Sequence, residues 1–146
     1  MGTQQILLIV LSVIIVGVAI AVGISMFNSQ SYNSNKTAIA SDAQSFATQA
    51  VQYYKTPMSQ GGAGGADSLM TADKVATFLS FQETGNKTTN ENGTYTITSA
   101  SGTQVVITGV GTAKKGGTNP KNPQVVTTVA LPEGTVTAVA SDVDAP

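Results

Sequence analysis

The chain has 146 residues, a net charge of −1 and only 10% charged side chains, against about 25% in typical soluble domains. All its basic residues are lysines, and so balanced a charge offers no field for gathering nucleic acid or steering acidic substrates. Cys and His are absent, which excludes disulfides, thiol chemistry, the usual transition-metal ligands and the commonest acid–base side chain near neutral pH.

From Ile6 to Phe27 the sequence is apolar apart from Ser12, Ser25, Gly17 and Gly23, and the first charged side chain is Lys36. As a helix, the apolar stretch covers roughly 33 Å at ~1.5 Å per residue, about one bilayer core. Apolar residues fall on every face, so the helix requires oily surroundings on all sides. A cleavable secretory signal would need a basic start and a shorter apolar core, and nothing basic precedes this run. A plain membrane anchor fits the stretch taken alone.

The helical pattern continues beyond it. Asn28 to Lys36 is polar but contains neither Pro nor Gly, and apolar residues return at Ile39, Ala43, Phe46, Ala47, Ala50, Val51 and Tyr54. Spacings of three and four place them on one stripe, and Pro57 is the expected stop. One helix from about Thr3 to Thr56 would be roughly 80 Å long. The expected division is a spine over 1–56, apolar over 1–28 and amphipathic over 29–56, followed by a β-rich head over 57–146. Ile39, Ala43, Phe46, Ala47, Ala50 and Tyr54 are the candidates for packing the spine on the head.

After Lys55, TPMSQGGAGGADS reads as a surface loop; its glycines lack the Gly-Lys-Ser/Thr and the preceding strand that a phosphate loop requires. Thr71 is placed to cap a short helix through about Phe81, with Val75, Phe78 and Leu79 buried and Asp73 suited to the helix dipole. From Asn92 the period becomes two. Segments 94–100 and 103–110 flank Ser101–Gly102, and 124–131 and 135–141 flank Pro132–Glu133–Gly134, a sequence suited to a type I turn. The expectation is an α+β fold: a long N-terminal helix packed on a small four-stranded antiparallel sheet. The sheet face under the helix would carry Tyr95, Ile97, Val105, Ile107, Val125, Val129 and Val136. The loop with Lys114, Lys115 and Lys121 reads as solvated rather than as a nucleic-acid contact. The ending SDVDAP reads as a loose tail, because Asp142 and Asp144 alone cannot supply the six or more oxygens of a calcium site. Asn35, Asn86 and Asn92 each head an Asn-x-Thr triplet and are candidate glycosylation acceptors.

The two-part helix over Met1–Pro57, followed by a β-rich portion, resembles the type IV pilin superfamily, bacterial and archaeal. That resemblance implies an apolar half that sits in the cytoplasmic membrane before assembly and then bundles in a filament core, with an amphipathic half packed on the head. It further implies a prepilin peptidase and a pilus assembly machinery as partners, and many copies of the chain in one homo-oligomeric filament. The filament-core residues would be Gln5, Ile6, Leu7, Ile9, Val10, Val13, Ile14, Gly17, Ala21, Gly23 and Ile24. Counted from Met1, Gln5 occupies the place where many bacterial members carry a glutamate, and an amide there can only hydrogen-bond. The apolar half also lacks the proline kink common in bacterial members; Gly17 and Gly23 are its soft points.

No His, Cys or Arg and no recognisable pair of carboxylates is available for catalysis, so the expectation is a structural protein with no enzyme activity, cofactor or metal. Two functions compete. One is the repeating subunit of an extracellular filament on the cell surface. The other is a membrane-anchored exported protein, or a pseudopilin of a secretion assembly that forms no long filaments. Rigid continuity of the helix from Asn28 to Tyr54 favours the first, since a solitary anchor gains nothing from it.

Overall fold

The computed structural model describes residues 2–146; Met1, the expected start of the spine, lies outside the described residues. Helix α1 runs without a break over Gly2–Lys55, because no proline interrupts it and its two interior glycines are each flanked by strong apolar runs. Pro57 stops it as expected, and two single 3-10 turns, Met58–Gln60 and Asp67–Leu69, carry the chain to α2. Helix α2 covers only Ala72–Phe78. Its end is set by Ser80, held in the left-handed region at φ 62. The Ser80 N–H donates to the Thr77 carbonyl and the Phe81 N–H to the Ala76 carbonyl, a Schellman closure that turns Phe81 inward. Phe78, expected inside, is 38% exposed. Thr71 occupies the N-cap position, but its side chain makes no capping bond.

Five strands follow, not the four expected: β1 Lys87–Thr89, β2 Gly93–Ala100, β3 Gln104–Gly111, β4 Lys121–Ala130 and β5 Thr135–Asp144, in sheet order β1-β2-β3-β4-β5. All neighbours are antiparallel. Strand β1 has no apolar alternation to announce it. It forms because Asn90 Oδ1 accepts the N–H groups of Asn92 and Gly93 and folds the chain back, so that Lys87 pairs with Thr96 and Thr89 with Thr94. The expected loose tail is also corrected: β5 continues through it, with Asp142 opposite Pro123 and Asp144 opposite Lys121. The β4–β5 connection, expected as a type I turn, contains a cis Leu131–Pro132 peptide and Gly134 at φ 82, a left-handed position that suits glycine.

Helix α1 lies across β3 and β4 on one face of the sheet. Ile39, Ala43, Ala47 and Ala50 are buried there against Tyr95, Ile97, Val105, Ile107, Val125 and Val129. Val136 was expected on this covered face. It does point to that side, opposite Val129, but stays 37% exposed because it stands on the outermost strand. The alanines bring helix and sheet close, and Gly111 on β3 allows it, since a Cβ there would lie 2.1 Å from Asn35 Oδ1. Gly109 leaves room for the ring of its β2 neighbour Tyr95, which would lie 3.1 Å from a Cβ.

Candidate assembly surface

Helix α1 presents three successive zones. The first, through Phe27, is bare. Its large side chains are exposed on all faces, from Phe27 at 74% to Leu11 at 50%, and no part of its most apolar window is buried against the head. The expected filament-core residues Gln5, Ile6, Leu7, Ile9, Val10, Val13, Ile14, Gly17, Ala21, Gly23 and Ile24 are all exposed. At 100° per residue they spread over about 200° of the cylinder, and Leu8, Leu11, Ile15, Val18 and Val22, equally exposed, cover the rest, so that the apolar surface as a whole has no polar face. Shallow grooves run between their ridges, one along Ile6, Val10 and Ile14, another along Val18, Val22 and Met26 beside Ala19 and Gly23. A Cβ at Gly17 or Gly23 would meet nothing within 4 Å, so both sites leave room for a close neighbour. Apolar exposure on this scale marks a membrane or protein contact surface.

The last zone is docked. Of the expected packing residues, Ile39, Ala43, Ala47 and Ala50 are buried, while Phe46 and Tyr54 are half-buried at the margin. The Phe46 ring stands edge-on to Phe81 at 5.0 Å and to Tyr95 at 5.1 Å, a favourable aromatic geometry. Two residues were missed, Tyr32 and Tyr53, both buried. Their signal was present: Tyr32, Ile39, Phe46 and Tyr53 recur every seven residues, two helical turns apart. The Tyr53 hydroxyl donates to the Leu69 carbonyl at 3.1 Å. Asp42 Oδ2 accepts from Tyr95 Oη at 2.6 Å, Asn92 Nδ2 at 2.8 Å and Asn90 Nδ2 at 3.0 Å. Burial pushes the Asp42 carboxyl up, but the three donors together outweigh it and hold it below the usual carboxylate range. The same burial, reinforced by Asp42, pushes the Tyr95 hydroxyl up.

Between these zones lies a polar junction where the head first grips the helix. Tyr32 donates a short hydrogen bond to Asp142 Oδ1. Lys36 Nζ lies 3.3 Å from the same oxygen, and Lys115 Nζ lies 3.9 Å from Oδ2. Both ammonium groups also sit over the Tyr32 ring, at 5.7 and 5.9 Å. Burial and the adjacent carboxylate push the Tyr32 hydroxyl up to about 12, while the Tyr32 bond, aided by the two lysines, lowers Asp142. The presumed tail and the lysine loop are thus structural: they clamp β5 to α1 about one turn beyond the apolar half.

The three candidate glycosylation acceptors have their amides engaged. Asn35 Nδ2 donates to the Asn92 carbonyl at 2.7 Å, Asn86 Nδ2 to Asp73 at 2.8 Å and Asn92 Nδ2 to Asp42.

No protein-family model, curated protein or solved structure matches this chain. Its own architecture, a helix long and apolar enough to cross a membrane continued into an amphipathic half on an antiparallel sheet, is compatible with a pilin-like fold.

Proposed function

We propose that this chain is the structural subunit of a type IV pilus-like helical filament, held together by bundling of the apolar half of α1. The observation that carries the reading is the unbroken helix over Gly2–Lys55, bare on every face at one end and docked at the other. Lipid satisfies the bare half before assembly, and neighbouring copies satisfy it afterwards. Exchange between two oily environments costs little hydrophobic energy, so packing decides the outcome. Gly17, Ala19, Ala21 and Gly23 permit close approach. A heterologous contact that does not close on itself propagates as a helix of subunits. Rigid coupling through the junction then fixes each head at a set radius and rotation around the core.

In this role the chain works at the cell surface, passes through the cytoplasmic membrane first, and meets a prepilin peptidase and an assembly machinery on the way. It takes no cofactor and performs no catalysis.

Electron microscopy of material sheared from the cell surface is the test. Thin helical filaments built from this chain are the expected result. Recovery of the chain only as dispersed subunits in the membrane fraction would refute the reading and leave a membrane-anchored or pseudopilin role in its place.

A further inference from the structure

The junction borders a half-open cavity of about 460 Å³, which lies between α1 and the loop joining β3 to β4. Ser25, Asn28 and Ser29 line its lower part, and Tyr32, Lys36 and Lys115 its upper part. Asp142 also reaches it, but its carboxylate is already held by Tyr32 and both lysines. Two cations facing one neutralised anion leave the cavity with one unit of positive charge. Its height along the helix is set by the sequence. The apolar run ends at Phe27, so Ser29 and Tyr32 stand roughly 3 and 8 Å beyond it. Lys36, its backbone roughly 14 Å out, reaches back to bring Nζ within 5.7 Å of the Tyr32 ring. A lipid headgroup layer occupies about 5–8 Å outside the hydrocarbon. The charged cavity and the phosphate plane therefore coincide while α1 spans a bilayer.

We infer that this cavity holds the phosphate of an anionic phospholipid headgroup on the head's side of the membrane, with Lys36 and Lys115 as its cationic partners and the Ser25 and Asn28 side chains below them as hydrogen-bond donors. The Ser29 hydroxyl is committed to the Ser25 carbonyl at 3.0 Å. The inference rests on the reading that the apolar half of α1 lies in lipid before assembly. Bound lipid would set the depth of the subunit and the rotation of its head before neighbours arrive.

The test uses the full chain in vesicles of phosphatidylcholine, alone or mixed with phosphatidylglycerol, followed by flotation and by analysis of the lipid retained after mild detergent extraction. Wild-type chain floats with both vesicles and retains phosphatidylglycerol above its share of the mixture. Lys36→Gln and Lys115→Gln each cut that enrichment about five-fold, the worth of one lysine at an anionic surface. Lys114→Gln, altering a lysine outside the cavity, leaves it unchanged. Flotation with both vesicles but no enrichment, or an equal loss in Lys114→Gln, overturns the site and leaves the membrane reading standing. Failure to float with either vesicle overturns the membrane reading and this inference with it. Displacement of the retained lipid by inorganic phosphate as readily as by added phosphatidylglycerol makes the cavity a general anion site and overturns the headgroup assignment.

Discussion

Ile14 lies near the middle of the apolar half, 57% exposed on the single chain. It stands roughly 27 Å along the helix from Tyr32, the first side chain that the head buries. Ile14→Lys therefore touches no contact of the head, whose unfolding should shift by no more than about 0.5 kcal/mol. In a bilayer the substitution costs about 3–4 kcal/mol, combining the lysine near a helix centre with the lost isoleucine. Fifteen Leu, Ile, Val and Phe residues lie between Ile6 and Phe27. At about 0.3–0.6 kcal/mol each they favour insertion by roughly 4–9 kcal/mol, so one lysine weakens insertion without reversing it. A bundle core is less forgiving. There the ammonium meets neighbouring apolar side chains instead of a deformable lipid–water boundary, and the cost, several kcal/mol per unpaired ion, recurs in every subunit. The assay combines membrane fractionation, thermal unfolding and electron microscopy of sheared material, with Ile14→Leu as control. The expected outcome is a folded, membrane-inserted chain that makes no filaments. Filaments of normal number from Ile14→Lys would refute the bundled-helix reasoning.

The fragment 30–146, stripped of the bare half, should sediment as a soluble monomer; its polymerisation would place the assembly contact in the head. Gly111→Ala drives a methyl against Asn35, Oδ1 of which lies 2.1 Å from the new atom, and should cost about 1–3 kcal/mol in urea unfolding. An unchanged midpoint would mean that α1 is not seated this closely on β3. Thr127 is fully buried with its hydroxyl unpartnered among the described residues, so Thr127→Val should raise stability by about 1 kcal/mol. A loss instead would reveal a partner for that hydroxyl. The folded chain holds Asp42 and Asp142 below their ordinary values, so the stability they contribute is complete above the unfolded carboxylate range near ~3.9 and is lost as pH falls through their folded values. The urea midpoint should be level from about pH 7 to 5 and drop below about pH 4, with a shallower drop in Asp42→Asn; an equal drop in that variant would remove Asp42 as a cause.

Much of this was legible along the chain. The continuous helix, its change of character after Phe27 and its stop at Pro57 follow from periodicity and from the placement of proline, and β2 to β5 announce themselves by alternation. Strand β1 does not, because a three-residue Lys-Thr-Thr edge strand draws its stability from Asn90 and from pairing with β2, not from a buried face. Tyr32 shares the seven-residue recurrence of Ile39, Phe46 and Tyr53, but its polar neighbours mask that signal. A tyrosine among Asn, Ser and Lys looks solvated until a distant strand arrives to cover it.

Sequence alone determined that one end of the molecule must be surrounded by apolar groups, since no folding of a single helix can bury all of its own faces. It also determined which stripe of the second half would meet a sheet, because helix and strand periods each leave one apolar surface to be satisfied. Only the tertiary structure decided where the head first grips the helix. The clamp of Tyr32, Lys36 and Lys115 on Asp142 links residues as much as 110 positions apart, and such a contact has no local signature: its residues are ordinary surface side chains until the path of the sheet brings β5 back to the helix.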